Sequence, residues 1–296
     1  MAVELSGGRE ATGDGMTDSG ILAGYDGSTG AEDALAWGAR EALSRACPLT
    51  VCLVQSPAFP AVPGAARHDG EARRAAEQAL ASGVRLASGL MPQGEVRPLL
   101  ASGPPAAALC EWSMNSQVVV VGSRGRSDIP GLPIGPISLQ VAAKASGPVV
   151  VVRGIWRHVE AHAHLPVVVG TDGSPGSDAA VAFAFEEAVL RETELVAVCA
   201  LADDAAIVGV ARLIREEFEE VIERHQKFYP AVTVHRKVCD GSARVALREA
   251  GAAAQMIVVG ARGRGGIEGL PLGSVGLAVL TSADSPVAVV HSGDLG

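Results

Sequence analysis

The sequence predicts an α/β protein built from two tandem copies of one unit, each an open, doubly wound sheet of five parallel strands flanked by helices. Three observations carry this. First, the chain repeats itself. ILAGYDGSTGAEDAL, from Ile21, returns as VVVGTDGSPGSDAAV from Val167, so 146 residues separate Asp26 from Asp172. GSRGRSDIPGLPIGPIS, from Gly122, returns as GARGRGGIEGLPLGSVG from Gly260, 138 residues on, and the tails GPVVVVR and SPVAVVH keep that spacing. Second, strand-like runs that are apolar at nearly every position alternate with helical patterns, as expected of parallel strands covered on both faces. Third, 296 residues suit two domains, and a composition 48% hydrophobic but only 3% aromatic suits Ala-rich helices on Val-rich strands.

The elements follow in order. Residues 1–18 are acidic and Gly-rich and read as a disordered tail. The first unit spans 19–153, a linker 154–165, and the second unit 166–292. In the second unit the strands are VVVGTD, ELVAVCA, VTVHRKV, QMIVVG and PVAVV, with helices from Gly176, Asp203, Ser242 and Ser274. The run ARLIREEFEEVIERHQKF has apolar residues at helical spacing, and its charges read as a solvated face with i,i+4 pairs. The first unit keeps the same order, with a longer middle segment placed in the Pro-rich VQSPAFPAVPGAARH. No helix follows the last strand of either unit. Its free edge is expected to pair with the same edge of the other copy.

Composition excludes several classes of function. A net charge of −9 repels a phosphate polyanion, so no nucleic acid is expected as partner. No apolar run approaches the ~20 residues of a membrane span, and the N-terminus lacks the basic start and apolar core of a secretory signal. Cys47, Cys52, Cys110, Cys199 and Cys239 are odd in number, contain no CxxC, and read as reduced thiols, which points to a cytoplasmic location. His158, His162 and His164, with Glu160, read as a solvated linker and not as a metal site. No Ser-His-Asp or Cys-His arrangement can be argued from spacing.

The candidate site lies where open α/β sheets bind ligands, beyond the carboxyl ends of the strands. Asp26 and Asp172 end the first strands; the glycine loops begin at the ends of the fourth, which neighbour them. Glycines let backbone N–H groups approach a ligand, and a helix N-terminus adds unpaired donors, so this loop-to-helix passage points to phosphate. The second unit offers Gly260, Arg262, Gly263, Arg264, Gly273 and Ser274; the first offers Gly122, Arg124, Gly125 and Gly135. Gly265, Gly266 and Gly269 are assigned nothing beyond loop flexibility. There is no GxxxxGK[ST], nor a GxGxxG after strand one.

The pattern Gly260-x2-Gly263-x9-Gly273-Ser274 resembles the ATP-binding motif of the universal stress protein family, and Asp-Gly-Ser after the first strand is a second likeness. The resemblance covers nearly the whole chain outside the tail. It implies two Rossmann-like domains of the adenine nucleotide alpha hydrolase-like kind, with their last strands paired antiparallel in an internal pseudo-dimer, and leaves a further homodimer open. It places phosphates and ribose on Gly260, Gly263, Gly273 and Ser274, with Asp172 near the ribose, the phosphates or a Mg2+ ion. Adenine would rest on strand-two backbone near Val196 to Val198. The implied function is an ATP-binding, nucleotide-responsive regulator in stress response, with an unknown protein partner. The alternatives are a nucleotide-independent interaction protein of the same fold and a slow ATP hydrolase or nucleotidyl-transfer enzyme, with Asp172 either its base or a ligand-orienting group.

The first unit departs from the pattern, because Pro136 stands where the second has Ser274. Proline suits the first helical position but supplies neither N–H nor hydroxyl. Each lost hydrogen bond to a charged phosphate costs about 1.5–3 kcal/mol. Ser138 is the residue expected to compensate. The expectation is therefore a stronger site in the second unit and a weaker one formed by Asp26, Gly122, Arg124, Gly125, Gly135 and Ser138.

Overall fold

Residues 19–56, 65–126, 131–153, 164–201, 208–264 and 272–292 are described in a computed structural model of the chain. The tail, His158, His162, Gly265, Gly266 and Gly269 lie outside these residues. The first unit runs β1 (Ile21–Gly24), α1 (Thr29–Ser44), β2 (Leu49–Gln55), α2 (Ala65–Leu90), β3 (Val96–Ser102), α3 (Pro105–Ser113), β4 (Val118–Gly122), α4 (Pro136–Lys144) and β5 (Val149–Val152). The second repeats the order: β6 (Val167–Gly170), α5 (Pro175–Leu190), β7 (Leu195–Leu201), α6 (Val208–Gln226), β8 (Val234–Asp240), α7 (Ala243–Gly251), β9 (Met256–Gly260), α8 (Ser274–Ser282) and β10 (Val287–Val290).

The strands form one sheet in the order β3-β2-β1-β4-β5-β10-β9-β6-β7-β8. Every neighbouring pair is parallel except β5 and β10, which pair antiparallel with Val150 opposite Ala288. The free edges foreseen from the sequence therefore close on each other. Alternation within the strands sorts side chains into two cores, one on each face. Val118, Val120, Val150, Val258 and Ala288 pack with α1 and α5, while Val119, Val121, Val149, Val259 and Val289 pack on the opposite face with α4 and α8. Each core runs unbroken across the junction, so the halves share their interior.

Helices fasten the junction from both sides. On one face, Glu41 and Glu187 are 2% and 0% exposed. Arg45 donates to Glu41 at 2.5 Å and also to Glu187, and Arg191 donates to Glu41 at 2.8 Å and also to Glu187. Each arginine stacks on an aromatic ring of the other unit, Arg45 on Phe183 at 5.7 Å and Arg191 on Trp37 at 5.4 Å. All six residues obey the 146-residue repeat, so the ring is symmetric about the junction. On the other face Arg153 donates to the Leu280 carbonyl, and its repeat partner His291 bonds the Ala142 carbonyl at 3.0 Å.

The charged helix differs from expectation. Arg212 and Glu216 form an i,i+4 pair at 2.7 Å, but Arg224 reaches Asp178, Arg236 reaches Glu219 and Glu217 meets Arg264. Phe218, Val221 and Ile222 are buried beneath it. This face of α6 thus ties the helix to neighbouring elements as well as solvating it.

Buried charges are tolerated only when paired, and removing one partner strands the rest. Glu187→Ala should therefore destabilise the protein by about 3–5 kcal/mol in urea denaturation. Replacing Glu41, Arg45, Glu187 and Arg191 together with apolar residues of similar volume should cost far less. Equal losses for the two proteins would contradict the ring's role.

Candidate functional site

At each C-terminal sheet edge, the turn after the first strand faces the loop after the fourth. The Asp26 carboxylate bridges them: Oδ1 accepts from the Ser28 N–H at 2.9 Å and Oδ2 from the Arg126 N–H at 2.8 Å. Asp172 repeats this with Ser174 at 3.0 Å and Arg264 at 2.7 Å, and also accepts from the Ser174 and Ser177 hydroxyls at 2.5 and 3.2 Å. Burial alone would raise the Asp172 pKa, but these hydrogen bonds outweigh it and hold the carboxyl below its usual value.

The bridge explains one glycine in each loop. A Cβ on Gly125 would stand 2.7 Å from Asp26 Oδ2, and one on Gly263 would stand 2.7 Å from Asp172 Oδ2. Neither has a positive φ, so the missing side chain is what matters, not backbone freedom. Gly122 and Gly260, which end β4 and β9, press on the first turns of α1 and α5; a Cβ on Gly122 would meet the Gly30 carbonyl at 2.5 Å. These glycines admit protein backbone and carboxylate, a role the phosphate argument did not foresee.

Beyond the bridge, each loop enters a helix. The Gly135 N–H donates to Ser123 at 2.8 Å and the Gly273 N–H to Ala261 at 2.7 Å. Both glycines are N-caps, and among the described residues no side chain caps α4 or α8. The first-turn N–H groups of an α-helix, here those of Ser274, Val275 and Gly276, have no intrahelical partner; in the first unit Pro136 removes one of the three.

A cavity opens at each edge. The second, about 240 Å3, is lined by Asp172, Val198, Gly260, Arg262, Gly263, Gly273 and Ser274, so the candidate residues of this unit meet at one place. Thr171 and Ser177, hydrogen-bonded to each other at 2.8 Å, add polar groups that the motif did not flag. They flank the motif in TDGSPGS, where the first unit has Tyr25 and Ala31 in YDGSTGA. The first cavity, about 580 Å3, is lined by Asp26, Gly122, Arg124, Gly125 and Ser138, with Tyr25, Gln55 and Ser56 beside them. Gly135 caps α4 without lining it. The unit with the proline thus has the larger cavity. Ser138 does not stand in for the missing donor, because its hydroxyl gives its only proton to the Gly122 carbonyl at 2.6 Å and braces the loop.

Other expectations can be placed. Five cysteines are free thiols, and burial pushes Cys52 up to about 12. His164 is exposed. Among the described residues no group of three metal-ligating side chains occurs, and no helix is long and apolar enough to cross a membrane.

If Asp172 and Gly263 are matched, their substitutions must be non-additive. Gly263→Ala should cost about 1–3 kcal/mol in the wild type and less than half of that in Asp172→Ala. Additive costs would contradict the match. Because the Asp172 pKa is depressed by folding, its contribution is present above the unfolded value near ~3.9 and is lost as pH falls through the lower folded value. Asp172→Asn should flatten the acid limb of the stability curve.

The model of the universal stress protein family matches residues 20–153 and again 165–291. A universal stress protein of Mycolicibacterium smegmatis is 38% identical over 293 residues, covering 93% of this chain and 98% of that one. One of Mycobacterium tuberculosis is 36% identical over 287 residues, covering 92% and 97%. The crystal structure of a universal stress protein from Archaeoglobus fulgidus superposes with a TM-score of 0.72 at 20% identity, covering 93% of this chain and 99% of that one. With both halves matched, the chain belongs to the universal stress protein family as a tandem, two-domain member.

Proposed function

We propose that the protein is an adenine-nucleotide-binding regulator of the stress response, holding ATP at the C-terminal sheet edges. The observation that carries this is the uncapped first turn of α8. Ser274, Val275 and Gly276 of that turn line the cavity together with Gly260, Gly263 and Arg262. Such a turn favours an anion through its donors and the helix dipole. Val198 of β7 lines the same cavity, where adenine would lie against strand backbone.

The fit to Mg2+ is through phosphate and not through protein. Asp172 Oδ1 accepts from Ser174 and Ser177, and Oδ2 from the Arg264 N–H, so direct coordination would compete with the loop bridge and a Mg2+ ion would be carried by the nucleotide. The same engagement, with a depressed pKa, makes Asp172 a poor general base, and the reading is binding without built-in hydrolysis. Five free cysteines favour a reducing, cytoplasmic setting.

Thermal denaturation with ATP and Mg2+ tests the reading. Ligand at a hundredfold excess over Kd should stabilise the wild type by about 2.7 kcal/mol. Ser274→Pro should weaken binding roughly tenfold and Pro136→Ser should strengthen it. If ATP, AMP and cyclic nucleotides all leave the wild type unshifted, the nucleotide reading fails in favour of an interaction protein of the same fold.

A further inference from the structure

The two cavities differ in how a helix covers them. Gly173 has φ +75°, and a Cβ there would lie 2.9 Å from both the Glu217 carbonyl carbon and the Phe218 nitrogen, so α6 sits directly on the Asp172–Gly173 turn. Gly27, its repeat partner, has nearly the same φ, +80°, yet among the described residues nothing lies within 4 Å of the equivalent point. Arg264 closes the same corner. Its guanidinium donates to the Asp172 carbonyl at 2.8 Å and to the Glu217 carboxylate.

Among the described residues the first unit lacks this contact. The residue 138 positions before Glu217, by the spacing that relates β8 to β3, is Ala79. Ala79 lines the first cavity with Ala75 and Ala76, whereas among the described residues none from α6 lines the second. Arg126, the counterpart of Arg264, is exposed; its backbone N–H donates to Asp26, but its guanidinium forms no ion pair with an acidic side chain among the described residues. The difference in volume, about 580 against 240 Å3, follows the same division.

We propose that Glu217 is an internal anion that latches the second site shut, holding Arg264 and keeping α6 down on the Asp172–Gly173 turn until the phosphates of a nucleotide displace it. The inference rests on the nucleotide reading above. Glu217 and Arg264 are about one-third exposed, at 34% and 36%, so the pair is open to solvent and to competition by a more highly charged anion. The unit with the fuller set of donors is thus the latched one, and the unit with Pro136 is open. Relative occupancy depends on Glu217 as well as on the proline.

The test uses the full chain as wild type, Glu217→Ala and Glu217→Ala/Ser274→Pro, each read in two ways. Hydrogen exchange without nucleotide reports the latch itself. Glu217→Ala should speed exchange in peptides covering 172–177 and 213–218 at least tenfold. Isothermal titration with ATP and Mg2+ reports its function. Glu217→Ala should bind about threefold more tightly at one site, and Ser274→Pro should abolish that gain. Unchanged exchange, or faster exchange with ATP affinity unchanged or weaker, overturns the latch while the nucleotide reading stands. Faster exchange with no ATP binding by any of the three proteins overturns the nucleotide reading, and the latch's role with it.

Discussion

The antiparallel pairing of β5 with β10 is the constraint on which the rest of the structure depends. It joins two five-stranded parallel sheets into one of ten strands. Because the strands of one half run opposite to those of the other, the C-terminal edges, and the cavities on them, lie at opposite ends of the sheet. The pairing also brings α1 against α5, where the Glu41–Arg45–Glu187–Arg191 ring forms. On the other face it sets Arg153 on the last turn of α8 and His291 on that of α4. Each helix that opens a candidate site in one unit is therefore held at its far end by the other unit.

The aspartate bridge does the corresponding work within each half. A carboxylate at the end of the first strand fastens the loop after the fourth, and the glycine beside it is small enough to allow the approach. The bridge holds residues 123–126 and 261–264, the start of each loop, against the turn after the first strand. Asp26 and Asp172 act first as fasteners, and any contact they make with ribose or metal is secondary to that.

Most of the fold was legible because its signals are local or repeated. Apolar strands such as VVVV, the return of Asp-Gly-Ser, and two Gly-rich loops a constant distance apart gave element order, sheet neighbours and the pairing edge. The ring was present in the same repeat, since Glu41 and Glu187, like Arg45 and Arg191, are 146 residues apart. Yet a Glu and an Arg four apart on a helix look like any solvated pair until two such helices meet. Glu217 was hidden the same way among the charges of α6. Ser138 was opaque in a different manner: it lines the first cavity, but only the structure shows its hydroxyl turned to the Gly122 carbonyl. The relative size of the cavities was also illegible, because it depends on how closely a helix packs on one turn and not on the motif.

The central claim is that one chain carries two adenine-nucleotide sites of unequal strength at opposite edges of a shared sheet. Equilibrium dialysis of the full chain against labelled ATP with Mg2+ tests it most directly. Saturation is expected at two nucleotides per chain in two resolved steps. Saturation in a single step with two equal sites, or no retention at all, would contradict it.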